Sequence, residues 1–112
     1  MIASRPPAFR PNGVFAVNDL TALGLLQGLV DKGIQIPDDI ALFGYDDIEF
    51  GAASLIPLST IRTPHAGFGI AAMDLLIAEM SDTPATERHV ILEPELIIRA
   101  TSRQRDEGLR TR

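Results

Sequence analysis

Residues 14–30 read VFAVNDLTALGLLQGLV, a sequence that predicts a strand followed by a helix. Its first four residues form a continuous apolar run, which is typical of a short strand buried on both faces. Asn18 and Asp19 interrupt the run, and either side chain is a natural N-cap for a following helix. Gly33 suits the position just after the end of that helix. The predicted buried stripe of the helix consists of Ala22, Leu23, Leu26, Leu29 and Val30.

The alternation of strand and helix continues along the chain. A helical turn is expected around residues 50–54, and Pro64 opens a second long helix that runs to residue 80. Phe68 lies on the apolar face of this helix and is expected in the core. Further strands are predicted at residues 40–43, 59–62, 89–92 and 95–98. This order predicts an α/β fold with a mostly parallel sheet, in a three-layer αβα arrangement.

Composition excludes several classes of site. The 112 residues contain no cysteine and only two histidines, His65 and His89, so a disulfide, a thiolate nucleophile and a zinc site are not expected. Residues 101–112 carry a charge of +2 and the remainder −7, and an acidic body repels a phosphate backbone. Charges or prolines interrupt every apolar stretch, and no secretory signal is recognisable. We expect a soluble, cytoplasmic chain without a membrane partner.

The sequence offers no recognisable catalytic motif. Ser54, Ser59 and His65 have the residue types of a hydrolase triad, but no Gly-x-Ser-x-Gly turn is present. Neither a Gly-x-Gly-x-x-Gly nor a Walker-type loop is found, so phosphate binding lacks support. We therefore predict no catalytic residue, no cofactor and no metal site.

Two polar pairs follow the first two predicted strands, Asn18-Asp19 and Asp46-Asp47. In a parallel sheet, ligands bind outside the carboxyl ends of the strands. Carboxylates accept several hydrogen bonds and amides both donate and accept, which suits a polyol, a sugar or a nucleoside. The alternative is purely structural, with a helix cap in the first pair and a turn in the second. These residues alone leave both interpretations open.

Four segments resemble the signatures of a known family. They are FAVNDLTALG at residues 15–24, GIQIPDDIALFGYDDI at 33–48, PLSTIR at 57–62 and LEPELIIR at 92–99. In order and spacing they are similar to the lactose-repressor/galactose-repressor family of bacterial transcription regulators. Members of this family join a helix-turn-helix domain to a two-lobed sensor of the periplasmic-binding-protein type.

The resemblance implies a domain organisation. Residues 14–100 would form the C-terminal portion of the ligand-sensing domain, after an irregular lead-in at residues 1–13. Within this portion, residues 14–62 would belong to the second lobe, 63–94 to the first lobe and 95–100 again to the second. Residues 101–112 are expected to be a basic, disordered tail.

The resemblance also implies functional residues and partners. Asn18 and Asp46 match the amide and carboxylate that contact the effector, a sugar or nucleobase-like molecule, and Thr63 and His65 match variable cleft positions. Asp19 is then expected to cap the helix and Asp47 to have a structural role. Operator DNA would be bound only through the helix-turn-helix domain of the family, and this sequence does not match that domain.

A homodimer is expected of the complete regulator. The resemblance places its interface at the helix from Leu20 and the loop at residues 50–56. Leu20 and Leu25 lie off the predicted buried stripe, which agrees with such a role. Two other interpretations remain: part of a periplasmic-type sugar-binding transport protein, or an interaction fragment without a ligand.

Overall fold

The computed structural model describes residues 4–81 and 89–103. The chain divides into two compact units, one formed by Met1–Arg62 with Leu96–Arg112 and the other by Thr63–Glu95. Within the described residues, no helix is both long and apolar enough to cross a membrane.

The first unit alternates strands and helices. After a 3-10 turn at Pro7–Phe9, its elements among the described residues are β1 (Gly13–Phe15), α1 (Asp19–Asp31), β2 (Ala41–Phe43), α2 (Glu49–Ala52) and β3 (Thr60–Arg62), followed by β4 (Glu95–Ile97), whose last two residues belong to this unit. β1 and β2 are parallel, with Val14 opposite Leu42. A parallel bridge between Phe43 and Ser59 links β2 to the start of β3, which lies next to β4. The predicted α/β fold is confirmed.

The core of the first unit lies between α1 and the strands. Ala22, Leu26 and Leu29 of α1 are buried, as their helical spacing predicts, and they share the core with Leu42 and Leu58. Gly33 has a φ of 76° just beyond α1, the left-handed conformation that glycine adopts without cost.

Other parts of the predicted core are wrong. Phe15 is 63% exposed, so β1 is not buried on both faces, and Val30 of the predicted stripe is 42% exposed. Leu25, predicted to lie off the stripe, is partly buried against the core, whereas Leu20 is exposed. Helical spacing fixes which side chains share a face, but the neighbouring elements decide how wide the covered face is.

Among its described residues, 63–81 and 89–95, the second unit contains one long helix, α3 (His65–Met80), with Pro64 at its N-cap position. No residue of α3 is buried, and Phe68, predicted to lie in the core, is 47% exposed. The strand predicted at residues 89–92 is also wrong. A strand needs a neighbour for its N–H and C=O groups, and the described residues of this unit offer it α3 alone.

Thr101 corrects the boundary of the predicted tail. It is fully buried, and its hydroxyl donates to the Leu42 carbonyl at 2.7 Å and accepts from the Ser59 N–H at 2.8 Å. Its own N–H donates to the Pro57 carbonyl, and its carbonyl accepts from the Leu42 N–H. Residues 101–103 therefore belong to the fold, while the rest of the predicted tail, 104–112, lies outside the described residues.

Candidate functional site

The carboxyl ends of β1 and β2 lie side by side. Beyond the paired strands, the Ala16 N–H donates to the Phe43 carbonyl at 2.8 Å, and the Asp19 N–H donates to the Tyr45 carbonyl at 2.9 Å. These bonds keep the two chain segments adjacent up to the polar pairs that follow them. The structure thus brings the Asn18 and Asp46 segments together at the sheet edge where ligands bind in parallel α/β folds.

Asn18, and not Asp19, is the N-cap of α1. Its backbone is extended, and its side-chain Oδ1 accepts a hydrogen bond from the Thr21 N–H at 2.8 Å. An amide carries two donors as well as an acceptor, so capping through Oδ1 is compatible with donation to a ligand from Nδ2. The capping role and the predicted ligand role therefore do not exclude each other.

Asp19 has a role that the sequence did not reveal. Its side chain is fully buried, with Oδ1 accepting from the Thr60 hydroxyl at 2.7 Å and Oδ2 from the Ile48 N–H at 2.8 Å. The carboxylate lies in the first turn of α1, where the helix dipole favours a negative charge. Its partners are 41 and 29 residues away in the chain, so no local pattern could have indicated them.

Asp46 lies in a turn with an uncommon backbone. Its φ is 111°, and its N–H donates to the Ile61 carbonyl of β3 at 2.9 Å. The residue is half-buried and lies three residues beyond the carboxyl end of β2. A carboxylate at this position can accept hydrogen bonds from two hydroxyl groups of a polar ligand.

Asp47 is the centre of a cluster of charges. Its Oδ2 lies 2.7 Å from Arg62 Nε, and its Oδ1 lies 2.8 Å from Arg99 Nη2. Burial by itself would raise the pKa of Asp47, but the hydrogen bonds and charges of the two guanidinium groups outweigh it and hold the pKa below its ordinary value. The cluster ties the turn after β2 to β3 and to the chain just beyond β4.

The other two predicted site residues, Thr63 and His65, lie in the second unit. The buried Thr63 hydroxyl and the Nε2 atom of the exposed His65 are 2.9 Å apart, and the His65 N–H donates to the Thr63 carbonyl at 2.9 Å. This unit therefore holds these two residues together at the start of α3, as the first unit holds Asn18 and Asp46.

A surface pocket of about 750 Å³ lies elsewhere in the first unit, and none of the four predicted site residues lines it. Its walls are mostly apolar and come from the end of α1, the segment before β2, the segment before β3 and the chain beyond β4. Across residues 4–81 and 89–103, no group of three metal-ligating side chains is found.

Comparison with known proteins places the chain in a family. Residues 2–102 match the family described as a periplasmic binding protein-like domain. The chain is 39% identical over 92 residues to the HTH-type transcriptional repressor PurR of Vibrio parahaemolyticus, covering 82% of this chain and 28% of the repressor.

Solved structures agree with this relationship. A LacI family transcriptional regulator from Lactobacillus casei, with bound sucrose, is 35% identical with a TM-score of 0.78 and covers 90% of this chain and 37% of its own. A lac repressor dimer bound to operator and the anti-inducer ONPF is 28% identical with a TM-score of 0.75, covering 82% and 32%. The chain thus spans about a third of these relatives. It belongs to the periplasmic binding protein-like family, and it corresponds to the C-terminal part of the effector-binding domain of LacI-family transcriptional regulators.

Proposed function

We propose that this chain senses a small polar effector, a sugar or a nucleobase-like metabolite, within a bacterial transcriptional regulator. The support is the family membership together with the names of its relatives, which are a repressor and a regulator with bound sucrose. The relatives are named as transcriptional regulators, and we propose that this chain likewise has no enzymatic activity and acts in the cytoplasm.

One observation carries the proposal, the adjacency of Asn18 and Asp46. Both follow parallel strands at their carboxyl ends, and the hydrogen bond from the Asp19 N–H to the Tyr45 carbonyl holds their segments together. The pair combines hydrogen-bond donors with a carboxylate acceptor, which suits vicinal hydroxyls or the edge of a base. Thr63 and His65 are proposed as further contacts, because the Thr63 hydroxyl and the imidazole are hydrogen-bonding groups held 2.9 Å apart.

The two units fit the proposed domain organisation. We assign residues 14–62 and 95–100 to the second lobe of the sensor and residues 63–94 to the first lobe, in line with the division of the chain at Thr63 and Leu96. The complete regulator is proposed to be a homodimer through the start of α1 and residues 50–56. Leu20 and Phe50, which are 69% and 75% exposed, offer apolar contact area there. Operator DNA would be bound by the helix-turn-helix domain of the complete regulator.

The test uses the complete regulator that contains this chain. Its binding to a panel of monosaccharides, disaccharides, nucleosides and nucleobases is measured by calorimetry. Its affinity for a DNA fragment selected from its own genome is measured by gel shift with and without each compound. We expect one class of compound to bind and to change DNA affinity by about 5- to 150-fold, the usual range of allosteric coupling.

Two outcomes would contradict the proposal. If a compound binds but the protein shows no specific DNA binding either with or without it, the protein would be a transport protein. Absence of binding across the whole panel would indicate an interaction module. The 112-residue chain alone is the control for DNA binding, and we expect no specific shift because its net charge is −5.

A further inference from the structure

The turn that carries Asp46 has an unusual backbone. Asp46 and Asp47 are consecutive residues with positive φ, 111° and 58°, although neither is glycine. Residues with a side chain are uncommon in this region, and such conformations persist only where the surroundings over-determine them. Something in the structure must therefore hold these two residues.

Part of the hold comes from backbone amides. The Asp46 N–H donates to the Ile61 carbonyl at 2.9 Å, and the Asp47 N–H donates to the Thr60 hydroxyl at 3.3 Å. The second bond is long, so the amides alone fix the turn less firmly at Asp47 than at its neighbour.

The stronger hold comes from the Asp47 side chain. Arg62 Nε lies 2.7 Å from one carboxylate oxygen, and Arg99 Nη2 lies 2.8 Å from the other. The Arg99 guanidinium is itself anchored, because its Nη1 donates to the Leu58 carbonyl at 3.0 Å. The Asp47 side chain is only 10% exposed, and charge-assisted bonds of this length are among the strongest in proteins.

These contacts separate the roles of the two aspartates. Each Asp47 oxygen faces a different guanidinium, so the carboxylate is committed within the protein and is not aimed at a ligand. Asp46 directly precedes it, and the direction of the Asp46 side chain depends on the dihedral angles of this turn. A change at Asp47 is therefore expected to reach a ligand through the geometry of Asp46.

We propose that Asp47 is a positioning residue for effector binding, fixing the turn through Arg62 and Arg99 so that Asp46 presents its carboxylate in one geometry. The inference rests on the proposed function in so far as Asp46 contacts the effector. The state of the turn itself can be measured without any ligand.

The first experiment is hydrogen–deuterium exchange of the complete regulator, wild type against Asp47→Asn. Asparagine keeps the size and tolerates positive φ, so the substitution isolates the charge. Loss of a charged hydrogen bond should speed exchange in peptides spanning residues 44–50 by about tenfold or more. The exchange rate of peptides from the middle of α1 should be unchanged in this variant. In the matched control Asp31→Asn, which alters an exposed aspartate, the exchange rate of residues 44–50 should also be unchanged.

A second variant keeps the test decisive if Asp47→Asn fails to fold. Arg62→Met removes one guanidinium whose side chain is 49% exposed, and it should speed exchange at residues 44–50 in the same direction by a smaller factor. Unchanged exchange at these residues in the folded variants would overturn the proposal. An equal increase in exchange throughout the first unit would also overturn it, because that would indicate a general loss of stability and not a loss of local positioning.

The second experiment measures the affinity of a panel compound that binds the wild type. Asp47→Asn should weaken it about tenfold, and the double variant Asp46→Asn with Asp47→Asn should lose no more than Asp46→Asn alone. Additive losses would show that Asp47 acts independently of Asp46 and would overturn the proposal. If no compound binds the wild type, the proposed function fails, whereas the exchange experiment still decides whether Asp47 fixes the turn.

Discussion

Asp19 and Asp31 begin and end the same helix, but their surroundings are opposite. Asp19 is fully buried and accepts hydrogen bonds from the Thr60 hydroxyl and the Ile48 N–H, whereas Asp31 is exposed. Asp19→Ala leaves a buried hydroxyl and a partly buried N–H without an acceptor, and we expect the free energy of unfolding to fall by about 3 kcal/mol. Urea titration of the complete regulator measures this, with Asp31→Ala as the control that stays within about 0.5 kcal/mol. A loss near 1 kcal/mol for Asp19→Ala would show that the buried bonds contribute no more than a helix cap.

Asp46 should affect binding and leave folding intact. Asp46→Asn retains the size of the side chain and its tolerance of positive φ but removes the charged acceptor. We expect effector affinity to fall by roughly 10- to 100-fold, as for loss of a hydrogen bond to a charged group. Calorimetry with a compound that binds the wild type gives the affinity, and a thermal melt should show an unchanged Tm. Normal binding by this variant would remove Asp46 from the site.

Asp47 makes stability depend on pH in the acid range. Although its burial acts in the opposite direction, Arg62 and Arg99 hold its pKa below the ordinary value of 3.8. The folded state therefore binds a proton at Asp47 less readily than the unfolded state does. The stabilisation of the folded state by the ionised Asp47 is complete above the ordinary pKa. It is lost as the pH falls through the lower folded pKa. Unfolding free energies of wild type and Asp47→Asn should differ by a constant amount from pH 7 to about pH 5 and converge below about pH 4. A gap that stays constant down to pH 2 would contradict the ion-pair assignment.

The residues of the candidate site differ in how far sequence could predict them. Local pattern identified the polar pairs after β1 and β2, because a strand end followed by a helix start is a short-range signal. It could not separate Asn18 from Asp19, since both residue types cap helices. The contacts that distinguish them come from Thr60 and Ile48, which are remote in sequence.

Gly44 joins β2 to the Asp46–Asp47 turn, at a position where no side chain fits. A Cβ atom there would collide with the Asp19 carboxylate and approach Leu58 Cδ2 at 3.1 Å. We expect Gly44→Ala to destabilise the regulator by about 1–3 kcal/mol, as overpacking of a core does. Chemical denaturation of the purified variant measures the change.

Gly28 provides the matched control. It lies inside α1, and a methyl group added there would meet no atom outside the helix backbone within 4 Å. Gly28→Ala should stabilise by about 0.5–1 kcal/mol, because alanine loses less backbone entropy in a helix. Equal effects of the two substitutions would show that the close approach of Gly44 to Asp19 does not matter.

Long periodic elements were predicted well and marginal ones were not. The helix predicted from the stripe in residues 22–30 is α1, because apolar spacing at 3.6 residues is a strong signal over three turns. Residues 89–92 have the composition of a strand but form none. Phe68 lies on an apolar face and is not buried. In both cases the outcome depends on which other element packs against the segment, and the pattern within one segment does not contain that information.

The described residues of the chain expose much apolar surface. Within α3 the large exposed side chains are Phe68, Ile70, Met73, Leu76, Ile77 and Met80. Contiguous apolar surface of this kind promotes association and dye binding. We expect the 112-residue chain alone to bind a hydrophobic fluorescent dye and to sediment as a species larger than one chain.

Paired substitutions test whether α3 is responsible. Met73 and Ile77 are four residues apart on one face of the helix, and replacing both by lysine should reduce dye fluorescence and association. Asp74→Lys, at an exposed polar position of the same helix, changes charge without removing apolar surface. If the double variant behaved like Asp74→Lys, the association would have to arise from another surface.

The hydrogen bonds of Thr101 matter for a chain that is still being made. Ser59 and Leu42 find their partner 42 and 59 residues later in the sequence. At ordinary rates of translation, roughly 2–8 s pass between synthesis of Ser59 and of Thr101. At the end of that interval the strands β1 to β4 have been synthesised, but Thr101, whose hydrogen bonds join β2 to the start of β3, has not. A ribosome that stalls just before the codon for Thr101 would hold a first unit without the hydrogen bonds that Thr101 makes with Leu42 and Ser59.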